Sequence, residues 1–268
     1  MSSAFDHDRE AVLARAVAAG VHTLIITGNS IESSIAAQVF AKSHTNCMTT
    51  AGVHPHNAKD WDAAALTRLR ELAAGKSPAA VTTVAIGECG LDYNRNFSPP
   101  QSQRKCFEDQ LALAAQLGKP VFLHERDAAD DFLSILKQYR ANLPGVVVHC
   151  FTGRPAELEA YLALDCCIGI TGWICDERRG SHLIPLLPHI PADRLLLETD
   201  APYLLPRNLQ GNLPRTMRGK SGRNEPCFLP HIAAYAAEIL GKTPEQLAAE
   251  TSANAGRLFG FSAGKNSC

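Results

Sequence analysis

Histidines and carboxylates close five separate apolar runs in this sequence, and that recurrence is its first chemical signal. The run Cys47–Ala51 leads into Gly52-Val53-His54-Pro55-His56, the run Thr82–Gly87 ends at Glu88, and the run from Lys119 ends at His124. The run from Gly145 reaches His149, and the run from Arg194 ends in Glu198-Thr199-Asp200. A single histidine in such a place is ordinarily a buried imidazole bonded to backbone. Several ionisable groups side by side are another matter, because desolvating them without a counter-ion costs several kcal/mol each. A divalent cation supplies the compensation. Imidazole with carboxylate suits Zn2+, Mn2+ or Fe, whereas carboxylate-rich sites with open water positions suit Mg2+.

Such a centre lowers the pKa of bound water and polarises the bond under attack. A carboxylate must then ligate or take the proton. Asp200, at the end of the last run, is placed for that role unless it only caps Ala201-Pro202-Tyr203. The stretch from Pro206 to Asn224 holds Arg207, Arg215, Arg218, Lys220 and Arg223 and no acidic residue. Those cations favour an anionic substrate, since guanidinium forks match phosphate oxygens, or else they form a solvated loop. Asp176-Glu177-Arg178-Arg179 offers two more guanidiniums or, equally, a surface salt-bridge cluster. Trp173, Tyr93 and Tyr203 either pack locally or stack on bases.

The elements that position these residues follow from hydropathy. Strands are predicted over His22–Thr27, Cys47–Ala51, Thr82–Gly87, Lys119–His124, Gly145–Cys150, Cys166–Ile170 and Arg194–Thr199, mostly continuously apolar, as strands buried on both faces are. Between them come helices over Asp8–Ala19, Glu32–Ser43, Asp62–Ala74, Ala128–Arg140 and Pro155–Leu162, with Phe228–Leu240 and Pro244–Leu258 closing the chain. Ser98-Pro99-Pro100-Gln101 reads as an N-cap, a helix-opening proline and a capping-box glutamine, starting a helix that stops at Gly118. Repeated strand-then-helix units imply seven parallel strands, in a closed (β/α)8-type barrel or an open doubly wound sheet. The turn Thr27-Gly28-Asn29-Ser30 lacks the G-x-G-x-x-G expected of a nucleotide-binding open sheet, which favours the barrel.

Composition bounds the rest. The chain has 268 residues, 26 Lys+Arg against 27 Asp+Glu, and is 46% hydrophobic and 20% charged. These values exclude collagen-like and disordered classes, and the net charge of −1 names no partner. One domain spanning residues 1–268 is expected. The early charges Asp6, Asp8, Arg9, Glu10 and Arg15 leave no signal-peptide core, and no apolar run approaches the ~18 residues of a membrane span, so a soluble, cytoplasmic protein is expected; a monomer is expected as well. Nine cysteines with no C-x-x-C pair suit buried thiols better than a disulfide framework or a zinc ribbon.

Ala51-Gly-Val-His-Pro-His56, Ile86-Gly-Glu-Cys-Gly-Leu-Asp92, Phe122-Leu-His124, Val148-His-Cys-Phe-Thr-Gly153, Glu198-Thr-Asp-Ala-Pro-Tyr203 and Arg223-Asn-Glu-Pro226 together resemble the TatD family of metal-dependent deoxyribonucleases, and Gly169–Arg179 narrows the likeness to one branch of it. The resemblance runs from about residue 2 to 261. It implies a TIM-type, amidohydrolase-like α/β barrel and a Mg2+-dependent 3′-to-5′ exonuclease acting on single-stranded DNA and RNA, associated with repair of oxidative DNA damage. Mn2+ or Zn2+ are the other cations considered. Carried over by position, Glu88, His124 and His149 are metal ligands, Asp200 is a ligand or general base, and His54 touches metal-bound phosphate or substrate. Asp200 and Glu88 are thus the catalytic carboxylates, with His54 on the substrate, and the basic stretches read above add Arg178, Arg215, Arg218 and Arg223 on its phosphates. One departure stands out. Family members begin with a strand ending D-x-H-x-H or D-x-G-x-N, whereas Met1-Ser-Ser-Ala4 passes straight into a helix, so a truncated start and seven strands instead of eight are expected.

Two other functions are compatible with the residues. One keeps the metal hydrolase and gives it a small amide, ester or lactone, for which the basic stretch would be idle. The other is an inactive barrel, short of its first strand, that only binds metal or nucleic acid.

Overall fold

Alternating strands and helices, the pattern set by the apolar runs, fill the computed structural model, which describes residues 2–75, 83–209 and 222–261. The strands are β1 (Leu24–Ile26), β2 (Cys47–Ala51), β3 (Thr83–Asp92), β4 (Val121–Arg126), β5 (Val146–Val148), β6 (Cys167–Ile170) and β7 (Leu195–Leu197). The longer helices are α1 (Arg9–Ala18), α2 (Ile31–Ala41), α3 (Ala63–Ala73), α4 (Pro100–Leu117), α5 (Ala129–Tyr139), α6 (Pro155–Ala163), α7 (Leu229–Leu240) and α8 (Pro244–Phe259). All seven expected strands are present. Eight cysteines among the described residues are free thiols. No helix among those residues is long and apolar enough to cross a membrane.

The chain divides into two compact units. The first, Thr23–His149 with Ala156–Cys167, carries β1 to β5, each paired in parallel with the next. Its core is built from strand and helix side chains with no exposed surface, among them Leu69, Phe107, Leu111, Leu123, Phe132 and Leu136. Phe107 stacks on Phe132 at 5.2 Å. The second unit holds Ser2–His22, Cys150–Pro155 and the described residues from Ile168 onward. There β6 pairs with β7 in parallel, Ile168 opposite Leu195 and Ile170 opposite Leu197.

Two local features bear on the site. The strand predicted to end at Gly87 continues as β3 to Asp92, so Glu88 lies inside the strand and not at its end. The glycines that interrupt its apolar run are there because the backbones meet: a Cβ on Gly90 would fall closer than 3.0 Å to the carbonyl oxygen of His124, and one on Gly87 would meet that of Phe122. At the start of α4 the N-cap position is Pro99, not Ser98. The Ser98 hydroxyl instead donates to the His56 carbonyl at 2.9 Å and accepts the Lys59 N–H at 2.9 Å, tying down the turn that carries His54 and His56. At the other end, Gly118 caps α4 in the left-handed conformation, as its type predicts.

Candidate metal centre

Three imidazoles converge on one carboxylate oxygen. β3 places Glu88, and its Oε1 lies 3.0 Å from His149 Nε2, 3.1 Å from His124 Nδ1 and 3.3 Å from His54 Nε2. β4 supplies His124. His149 follows directly on β5, its N–H bonded to the Leu123 carbonyl and its ring stacked on Phe122 at 4.7 Å. His54 stands three residues past β2, where its N–H bonds to the Asn29 carbonyl. One donor atom each from His54, Glu88 and His124 lies within 4.8 Å of the others.

A second carboxylate completes the cluster. Residues 88, 90 and 92 of a strand point to one face, so Asp92 joins Glu88 there. Its Oδ2 is 2.6 Å from His56 Nε2 and 3.5 Å from His124 Nε2, and its Oδ1 accepts the Arg95 N–H at 2.8 Å. Asp92 and His56 lie within the motifs, yet the sequence assigns neither of them a role. Its even, four-residue spacing from Glu88, which a strand keeps on one face, was the available signal for Asp92.

The electrostatics follow from burial and pairing. Burial is the largest influence on Glu88 and raises its pKa, yet His54, His149 and His124 outweigh it and hold the carboxyl well below the ordinary range. Asp92 behaves alike: burial opposes ionisation, and His124, the Arg95 N–H and His56 overcome it. For His124, burial favours the neutral ring, but the two flanking carboxylates win and raise its pKa. For His54, burial wins despite Glu88 and lowers its pKa, favouring the neutral ring.

These residues fit a divalent cation. His124 is the test: its Nδ1 faces Glu88 while its Nε2 is buried without a hydrogen bond, 3.5 Å from Asp92. A cation on the Nδ1 side would acidify the Nε2 proton and draw it to Asp92, the carboxylate–histidine arrangement that ligating imidazoles adopt. His54 is different. Its Nδ1 accepts the His56 N–H at 3.1 Å, and a neutral imidazole with one nitrogen accepting carries its proton on the other. His54 Nε2 is therefore a donor, fitted to an oxygen of Glu88 or of a bound anion.

Of the remaining expected site residues, Asp200 belongs to the second unit, just beyond β7, with φ of +54°. The loop that carries it is held by Asn224, fully buried, whose side chain donates to the carbonyls of Thr199 and Tyr203, each at 2.7 Å. Arg178 is exposed beside Asp176, a buried carboxylate that Arg179 Nε approaches to 2.7 Å, Arg207 Nε to 3.5 Å and Arg178 Nε to 3.6 Å. This trio is an anchored cluster, not a loose surface pair. Arg179 lies over the Trp173 ring at 4.4 Å, so Trp173 packs locally, whereas Tyr203 is exposed. Arg223, expected to grip phosphate, spends its guanidinium on Asp8 (2.7 Å) and Glu225 (2.5 Å) and on the Ala4 carbonyl. Arg215 and Arg218 lie outside the described residues.

Comparison with known proteins identifies the family. The family model described as TatD related DNase matches residues 1–260. A 3'-5' ssDNA/RNA exonuclease TatD from Cronobacter sakazakii is 54% identical over 258 residues, covering 96% of this chain and 94% of that protein. One of the same name from Klebsiella pneumoniae is 52% identical, with 97% and 95% covered. Among solved structures, a TatD homolog from Escherichia coli K12 superposes with a TM-score of 0.85 at 27% identity, covering 97% of this chain and 95% of that one. An Entamoeba histolytica hydrolase of the TatD family gives 0.81 at 27% identity, with 94% and 89% covered. The likeness bears out the TIM-type, amidohydrolase-like α/β class. With its motifs in order and a His/Glu/His cluster built from them, this chain belongs to the family of TatD-related DNases.

Proposed function

We propose that the chain works as one domain, a metal-dependent 3′-to-5′ exonuclease that hydrolyses phosphodiester bonds of single-stranded DNA and RNA. The observation that carries this is the convergence of three imidazoles on Glu88 Oε1, with Asp92 behind His124. Glu88, His124 and His149 would hold the cation, for which we favour Mg2+, with Mn2+ or Zn2+ as substitutes. When bound, such a cation acts as a Lewis acid on the phosphodiester and lowers the pKa of water.

The protein's own groups do the remainder. The histidines around Glu88 lower its pKa and so favour the carboxylate form, the form a ligand to the cation would take. His54 donates its Nε2 proton toward a non-bridging phosphate oxygen as negative charge builds there. Asp200 takes the proton from the attacking water, and the loop clamped by Asn224 limits the positions its carboxylate samples. Arg178, exposed above the Asp176 anchor, pairs with a phosphate further along the strand. We place the enzyme in the cytoplasm as a monomer and assign it to repair of oxidative DNA damage, where damaged nucleotides at 3′ ends must be trimmed.

The test is digestion of a 5′-end-labelled single strand with Mg2+. The reading expects stepwise shortening from the 3′ end, release of 5′-mononucleotides, arrest by EDTA and loss of activity in His124→Ala. An intact strand, together with hydrolysis of small amide, ester or lactone substrates, would replace the nuclease by the small-substrate hydrolase.

A further inference from the structure

Two glutamines on α4, Gln103 and Gln110, sit two helical turns apart on one face, and neither has exposed surface. Each pairs its amide with both the N–H and the carbonyl of one residue beyond the helix. Gln110 Oε1 accepts the Val53 N–H at 2.8 Å and its Nε2 donates to the Val53 carbonyl at 2.9 Å. Gln103 Oε1 accepts the Asp92 N–H at 2.8 Å and its Nε2 donates to the Asp92 carbonyl at 3.1 Å and to that of Ser98 at 2.8 Å. An amide paired in this way imitates the next strand of a ladder. It does so where the ladder runs out, since β2 ends at Ala51 and Asp92 is the last residue of β3. Without it, the buried N–H at each point would lose this partner.

The residues chosen for this treatment are informative. Val53 immediately precedes His54, and Asp92 is the carboxylate that takes His56 and backs His124. We propose that Gln110 and Gln103 are positioning residues for two separable parts of the centre: Gln110 aims the donor face of His54 at substrate, and Gln103 sets Asp92 and, through it, the orientation of the ligand His124. The assignment rests on the nuclease reading for what His54 touches, but its Gln103 half needs only a cation. Because one ring is a donor to substrate and the other a ligand, the two glutamines differ in what they control.

The experiment uses the full chain with Gln103→Leu and Gln110→Leu, near-isosteric changes that delete the side-chain amide's hydrogen bonds. Two readouts are taken: the Mn2+ concentration giving half of the metal-induced rise in Tm, and kcat and KM on a single-stranded oligonucleotide. Gln103→Leu should raise the Mn2+ midpoint about 10-fold or more, as loss of a partner behind a ligand does. Gln110→Leu should leave that midpoint within about two-fold yet lower kcat/KM about 10- to 100-fold, the scale of a misplaced contact. In a His54→Ala background, Gln110→Leu should cost less than about a further two-fold, because its effect passes through that ring. If a leucine variant fails to fold, Gln103→Glu and Gln110→Glu, which keep an acceptor for the N–H, replace it.

Equal losses in both readouts for both variants, or a full multiplicative loss of Gln110→Leu on top of His54→Ala, would overturn the proposal and leave the glutamines as fold support. If the parent protein digests no single strand, the nuclease reading and the Gln110 assignment fall together, while the Mn2+ midpoint still decides the Gln103 assignment.

Discussion

The cluster around Glu88 in the first unit and the network around Arg223 in the second contain similar numbers of ionisable groups and have opposite chemical meaning. Around Arg223 stand two guanidiniums and two carboxylates: Arg223 reaches Asp8 and Glu225, and Arg15 reaches Glu225 at 2.7 Å and Asp8 at 3.0 Å. Charges balance pairwise, and no guanidinium can offer a lone pair. Such a network is closed. Around Glu88 and Asp92 the partners are imidazoles, which give up a proton near neutrality and then present a lone pair. A cluster is a site when its members can exchange a proton for a ligand, and ion pairing alone does not supply that.

The largest expected effect that would break this comparison is at Glu88. Glu88→Gln replaces the oxygen shared by three rings with a neutral amide, and kcat/KM should fall about 1000-fold or more. Steady-state kinetics with a single-stranded oligonucleotide checks this, and activity within 10-fold of the parent would mean the cluster is not the centre. Next comes Gly90→Ala, where the added methyl meets the His124 carbonyl. A loss of about 2–4 kcal/mol, or a Tm lower by about 5–15 °C, is expected by calorimetry, with the Mn2+ response weakened as β4 is pushed away. A Tm unchanged to within a degree would show that the strands separate without cost.

The smallest effect belongs to the closed network. Arg223 is the main cause that holds the Asp8 carboxyl down at about 2, below its usual 3.8. A depressed carboxylate stabilises the fold above its unfolded pKa, and that contribution is lost as pH falls through the folded pKa. Asp8 is one-third exposed, so solvent screening keeps the effect small. Asp8→Asn should lower Tm by about 1–3 °C at pH 6, by progressively less between pH 4 and pH 2, and leave kcat and KM as in the parent. A large drop in kcat at pH 7 would instead draw this network into the catalytic machinery.

How far the sequence spoke follows the same division. β2 and the C-terminal ends of α4 and α7 were legible because hydropathy and, for α4, a glycine cap are local signals. The last half of β3 was not, since Glu88 and Gly90 interrupt the apolar run for reasons that lie on the next strand. Glu88, His124 and His149 were found by asking what ends each run, and that question passes over Asp92 and His56, which sit further along. Gln103 and Gln110 read as ordinary helix residues because their partners lie at separations of 11 and 57 residues. The partners of Arg223 were hidden for a similar reason: counting cations in one stretch cannot see Asp8, 215 residues away.

The main-chain contacts at Gly52, Gly87 and Gly90 carry a consequence for engineering. A Cβ on Gly52 would meet Gly87, just as those on Gly87 and Gly90 would meet β4, so backbone touches backbone across three successive strands. The distances between the parts that hold His54, Glu88 and His124 are thereby fixed by atoms common to every amino acid. Redesign of substrate preference should leave these strands untouched and put its variation into the turns beyond them.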